Sequence, residues 1–482
     1  MKRIRRAAKV HISWCIAIGC FCFVVGVWLS TYLRLDSVVL IGGSGSVVGF
    51  CLWWKRVYIL PILVIGSLGI GVGYGSISLG KLEVYTPLIG STVTLSGRVK
   101  EDPVLNSKRA LVVQLDSIVV DSYQLPGSVY ASLLGKPDVL RGDTVRIEGV
   151  FTEGFGTFAG VMYTAKLGEV IRPQPGDLGR VVRDWFATAV RTAIPEPQAS
   201  LGIGYLTGQK SALPDDLSEA LQIAGLSHIV VASGYNLTIL VRLARRVFMK
   251  VSKYVSALSS AIMIICFIAV TGLSPSMTRA GLVSGLSLAA WYYGRRFHPF
   301  VLLPFAAGVT VLFQPSYVWG DLGWQLSFSA FAGVMIVAPL LQKLFFGDKE
   351  PSVIRQILGE TVAAHIVTVP IVVIAFGVLS NVAIPANILI VPLVPLAMLL
   401  TFISGVIALV FPMIAAIVGL PATWLLTYMT SVAQYVAELP WAQLKFEMAI
   451  WMGCLYYAVL IVACVIAWKV TKHDMRSVNL VE

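Results

Sequence analysis

Where this sequence is most apolar, few side chains can do chemistry, and several of those recur at helical spacing. In Gly225 to Leu240, GLSHIVVASGYNLTIL, His228, Ala232 and Asn236 stand four residues apart. One helix would carry them on a single face with Ser233 at its edge. At bilayer depth such a stripe turns toward protein or a water-filled path. Ser, Asn and His also hydrogen-bond across packed membrane helices, so a packing role stays open. A second polar face comes from Asp321, Gln325 and Ser329 in DLGWQLSFS. A carboxylate there calls for a cation or water. TGLSPSMTRAGLVSGLSLAA brings Arg279 into a helix after Pro275, with Gly281, Gly285 and Ala289 as a small-residue packing stripe. Asn387 sits among Pro385, Pro392 and Pro395, with Asn381 just upstream. That span should be kinked or partly unwound, which membranes tolerate only beside protein or a water-lined cavity.

Other chemistries fit these residues less well. His228 and His365 are two imidazoles without a placed carboxylate or thiolate, so no metal site is expected. None of the seven cysteines is spaced as CxxC, and each lies in an apolar stretch. An intramembrane hydrolase using Ser233 and His228 would need those side chains to meet from positions five apart on a helix, with no GxSxG elbow and no orienting carboxylate. GYLTGQKS, 204–211, departs from a phosphate loop because Gln209 separates Gly208 from Lys210. The expectation is a protein without cofactor, metal or catalysis of its own.

The elements that position these residues follow from composition. Of 482 residues, 57% are hydrophobic and only 13% charged, outside the range of soluble domains. Basic residues, which give the net charge of +12, collect in cytoplasmic turns of membrane proteins for topological reasons. Lys2 to Lys9 precede a first span, and Lys55-Arg56, Arg242 to Lys253, Arg295-Arg296, Lys343 to Lys349 and Lys469 to Arg476 fall on the same side. This alternation predicts about twelve spans with both termini cytoplasmic.

Between Lys81 and Arg172 the texture changes to short alternating strands broken by turn residues, which suits a small barrel of OB type. Phe151, Phe155, Phe158 and Tyr163 could form an aromatic platform for single-stranded nucleic acid. Ten basic residues there are balanced by ten acidic ones, so no net field draws phosphates, and a spacer or docking role is equally open. Asp177 to Ile194 has the amphipathic pattern of a helix lying in a membrane interface, with Val181, Val182, Trp185, Phe186 and Ala189 on its apolar side.

Four ordered blocks carry a resemblance: LGIGYLTGQKSALPDDLSEALQIAGLSHIVVASG, TGLSPSMTRAG, WQLSFSAFAG and VTVPIVVIAFGVLSNVAIPANILIVPLVPL. In this order they resemble the ComEC family, bacterial DNA-internalisation channels of natural transformation. Where that family commonly has Ser-Gly-Leu-His, this chain has Ser233-Gly234-Tyr235-Asn236. The resemblance implies inward transport of single-stranded DNA across the bacterial cytoplasmic (inner) membrane. It also implies a separate DNA receptor, cytosolic ATPase and nuclease as partners, and a form without the C-terminal metallo-β-lactamase-like domain of many relatives. Broken helices would equally suit a small-molecule transporter. The DNA pathway is then expected to use His228, Ser233, Asn236, Arg279, Asp321, Gln325, Ser329, Asn381 and Asn387.

The expected architecture is a polytopic α-helical membrane protein with an inserted extracytoplasmic barrel. Residues 1–80 would be N-terminal transmembrane helices, 81–172 the barrel, 173–225 interfacial amphipathic helices, 226–470 the channel domain and 471–482 a cytoplasmic tail.

Overall fold

The computed structural model describes residues 11–34, 42–45, 47–48, 60–105, 110–135, 137–174, 176–209, 213–230, 234–272, 274–294, 298–347 and 352–471. The chain divides into two compact units, Met1–Gln174 with Phe297–Trp324, and Pro175–Arg296 with Gln325–Glu482.

In the first unit, helices α1 (Ile12–Leu29) and α2 (Leu60–Leu82) pack closely. Their crossing is built on glycine. A side chain at Gly26 would strike the Leu68 carbonyl, and one at Gly71 would strike the Phe23 carbonyl. This is how backbones approach where lipid offers no hydrophobic drive for helix association. The helix Pro299–Phe313 also packs on α1, and the Tyr74 hydroxyl donates to its Leu312 carbonyl at 2.6 Å. Much later sequence thus completes the N-terminal helical layer.

A turn of 3-10 helix, Glu83–Leu88, leads into the predicted barrel. Its strands are β1 (Thr92–Val99), β2 (Leu111–Val120), β3 (Val129–Leu133), β4 (Thr144–Glu153) and β5 (Gly160–Ile171). They pair in the order β1-β4-β5-β3-β2, and β2 pairs again with β1 to close the ring. All pairings are antiparallel except β3 with β5, where Tyr130 lies opposite Val161. Closure removes exposed strand edges. Alternate residues fill the interior, among them Leu95, Leu115, Ile118, Ile147, Phe151 and Met162. Tyr85 closes one side, its ring stacked on Phe151 at 5.5 Å. At the end of β5, Arg172 joins the buried Asp143 at 3.1 Å and Asp138 at 3.4 Å.

Among the described residues eight helices are long and apolar enough to cross a membrane, with Phe300–Phe313 as a shorter apolar one. The chain is therefore a multi-pass membrane protein with an inserted small β-barrel. The prediction of about twelve spans differs for identifiable reasons. The span expected near Ser37 to Trp54 lies largely outside the described residues. Gly234–Phe248 is helical but 15 residues long, and Pro275–Tyr292 is diluted by serines, Thr278 and Arg279. The proline-rich span breaks as expected: helix Ala383–Ile390 gives way to a 3-10 turn, Val391–Leu393, before Val394–Val410. One irregularity was not foreseen, a π-helical turn at Gly333–Val337 between Leu322–Ala332 and Ala338–Phe346.

The amphipathic segment forms helix Leu178–Ala193, capped by the Asp177 carboxylate accepting from the Arg180 amide. Phe186 and Val190 crowd against Gly405 of Val394–Val410. Leu178, Val181, Val182 and Trp185 remain exposed, whereas Arg183 is buried. Exposed apolar residues and a buried arginine are the distribution expected of a helix that meets lipid.

Candidate functional site

Short helices converge below the polar segment: Gln198–Thr207, Asp215–Ile223 and Ser227–Val230 precede Gly234–Phe248. The stripe expected over His228, Ser233 and Asn236 runs through residues 231–233, which lie outside the described residues. Asn236 is fully buried, and its amide nitrogen donates to the carbonyls of Tyr205 at 3.0 Å and Ile229 at 3.4 Å. The Tyr205 carbonyl belongs to the last turn of Gln198–Thr207, where carbonyls lack intrahelical donors. Asn236 thus ties Gly234–Phe248 to Gln198–Thr207 and to Ser227–Val230. His228 instead has an exposed side chain. It donates to the Gly225 carbonyl and interacts with His365 of helix Val353–Phe376.

Arg279 occupies the second turn of Pro275–Tyr292, a helix started by the Ser274 hydroxyl accepting from the Met277 amide and by Pro275 at its first position. Its guanidinium lies over the rings of Phe328 and Phe331, 5.9 and 5.7 Å from their centroids. The Nε atom is buried without a hydrogen-bond partner, and among the described residues Arg279 makes no ion pair. A terminal nitrogen sits against Gly234, so that a Cβ built there would be 3.2 Å from it. An intramembrane cation is costly, and here aromatic faces, not a carboxylate, attend it.

The other expected pathway residues are placed differently. Asp321 accepts from the Trp324 amide at 2.5 Å and so caps Leu322–Ala332, where the helix dipole favours a negative charge. Lys100 from the barrel unit is within its electrostatic reach. Gln325 lies one turn on, and Ser329 is half-buried on the same helix. Asn381 donates to the Trp441 carbonyl at 3.0 Å beside the paired strands Val378–Ser380 and Gln443–Lys445. Asn387 is buried and donates back to Ala383 of its own helix at 2.7 Å. Both asparagines serve the backbone.

On the barrel, Phe151 belongs to the core and is corrected out of the expected aromatic platform. Its place is taken by Tyr130, whose ring meets Phe155 at 5.4 Å and Phe158 at 5.6 Å, while Phe155 and Phe158 meet each other at 5.5 Å. Tyr163 is exposed and close enough to act on Tyr130. The Tyr130 hydroxyl titrates above the usual tyrosine range, first because it is partly buried and then because of Tyr163. Beside this cluster Gly156, in the left-handed region at φ 61°, presses against the Gly320 carbonyl.

Set against known proteins, residues 205–470 match the family described as Competence protein. ComE operon protein 3 of Bacillus subtilis (strain 168) is 25% identical over 232 residues, which cover 47% of this chain and 29% of that protein. The match thus spans less than a third of that relative's length. No solved structure matches. The family match takes in more than half of the sequence and includes His228, Asn236, Arg279, Phe328 and His365, and on that basis the chain belongs to the competence protein family.

Proposed function

We propose that this protein is the membrane component that passes single-stranded DNA inward during natural transformation. The observation that carries the reading is Arg279: inside the family-matched region, an arginine in an apolar bundle keeps its charge over two phenylalanine rings without an ion-pair partner among the described residues. Cations combined with aromatic faces are what single-stranded nucleic acids need from a protein, since the cation meets phosphate and the ring meets base or guanidinium. In this reading the protein sits in the cytoplasmic membrane with both termini inside and the barrel outside. A separate receptor delivers the strand, and a cytosolic ATPase and a nuclease act beside it.

Uptake of labelled DNA by cells lacking the gene tests the proposal. Entry should be lost in those cells and restored by the wild-type gene. Arg279→Gln should restore protein level without restoring entry. Undiminished DNA entry in the deletion strain would reject the reading and favour transport of another solute.

A further inference from the structure

The barrel carries its aromatic cluster where it meets the ends of the spans. Arg34, just past α1, pairs with Glu83, the first residue after α2, so both helices leave the apolar layer at one level. Helix Pro299–Phe313 ends beside them, because Tyr74 in the last third of α2 reaches its Leu312 carbonyl. Exposed aromatic side chains collect here: Trp28 and Tyr32 meet edge-on at the end of α1 with centroids 5.3 Å apart, and Phe313 is 80% exposed. Aromatic residues gather in this way where a bilayer gives over to water. The next helical turn, Tyr317–Gly320, packs on α1 and presents Gly320 to the barrel. A Cβ at Gly156 would stand 2.7 Å from the Gly320 carbonyl oxygen, so the two backbones touch. Gly156 lies inside the loop whose Phe155 and Phe158 pack on Tyr130, and Phe155 and Tyr163 are 50% and 57% exposed.

We infer that Tyr130, Phe155, Phe158 and Tyr163 form a lipid-facing lip of the barrel, which rests in the interfacial layer of the membrane on the side where α1 and α2 end. The cluster continues the aromatic level of the spans through the contact of Gly156 with Gly320. Its rings are apolar bodies with two phenolic hydroxyls to meet water and headgroups, the pairing that suits an interface. The barrel region, with ten basic residues balanced by ten acidic ones, has no net field to draw a polyanion onto these rings, and insertion of neutral rings into the interface needs none. A barrel joined to its spans through the Glu83–Leu88 turn gains a second point of hold at this lip. The inference is independent of which solute the protein carries.

To test the lip, the full chain is reconstituted into phosphatidylcholine liposomes that hold a small share of a phosphatidylcholine with a diazirine close to its glycerol. After illumination, lipid adducts are mapped by peptide mass spectrometry. Adducts are expected on residues 154–163, with none on Leu134, which is exposed past the far end of β3. Phe155→Ser combined with Tyr163→Ser should lower the yield on 154–163 by about tenfold, because serine offers no apolar surface to the interface. Both rings are exposed, so the unfolding midpoint of this variant should match that of the wild type. Phe155→Trp keeps a ring suited to the interface and should keep the yield. An absence of adducts on 154–163 in the wild type, or a yield there no higher than at Leu134, would overturn the lip, and this mapping decides the question even where the double variant is unstable. A yield unchanged in a stably folded double variant would overturn it too. So would adducts that a thymidine oligonucleotide abolishes, since the rings would then belong to nucleic acid.

Discussion

Asn236 and Arg279 are both polar residues in apolar helices, yet their surroundings give them opposite roles. Asn236 is enclosed and donates to two carbonyls, so Asn236→Leu should strand both acceptors at a cost of about 1–3 kcal/mol. Membrane abundance should fall together with DNA entry, and a variant that loses entry at full abundance would contradict the structural role. The barrel offers a parallel contrast. Phe151→Ala empties the space against Tyr85 and should cost about 3–5 kcal/mol, whereas Phe155→Ser removes a half-exposed ring and should leave the unfolding transition nearly unmoved. Thermal unfolding of the two variants, followed side by side, checks the assignment. This difference was legible in the residues themselves: Val145, Ile147 and Phe151 keep the two-residue period of β4, which points all three inward. By the same rule Tyr130, between Val129 and Ala131, points outward. The neighbourhood of Arg279 was not legible, because Gly234 and Phe328 reach it from elements distant in sequence.

At the level of elements, the barrel was readable because its strands alternate and their turns carry Gly, Asp and Pro, so pattern and backbone agree. The break at Val391–Leu393 was readable for a related reason, since Pro392 and Pro395 cannot supply the amides of a regular helix. The stripe expected around His228 crosses residues outside the described ones; at its two ends His228 is exposed and Asn236 buried, a difference that four-residue spacing does not carry. The π turn at Gly333–Val337 leaves no mark in the hydrophobic pattern; it accompanies a close approach of Gly333 to the Ala363 carbonyl. Helix crossings built on such contacts are predicted to be intolerant of bulk. Gly71→Leu should force α1 and α2 apart and sharply lower the amount of protein in the membrane, while Ile65→Leu, at an exposed position, should be neutral. Equal levels for the two would argue against the packing of α1 on α2.

Across the whole molecule, the orientation proposed from the basic turns makes a plain prediction. A thiol at Lys250→Cys should be sheltered from a membrane-impermeant reagent in intact cells, and one at Tyr123→Cys, on an exposed edge of the barrel, should be labelled. The reverse pattern would invert the topology. The pairing of α1 with helix Pro299–Phe313 bears on how the protein is made. During synthesis the N-terminal helices and the barrel emerge first, but the helix that covers α1 leaves the ribosome only after the chain has threaded well over a hundred further residues into the bilayer. Until then α1 must keep a vacant flank, open to wrong neighbours or to a membrane chaperone. A fragment ending at residue 174 should therefore be degraded quickly when expressed alone. Supplying residues 297–324 as a second polypeptide should extend its half-life, which pulse-chase labelling would measure directly.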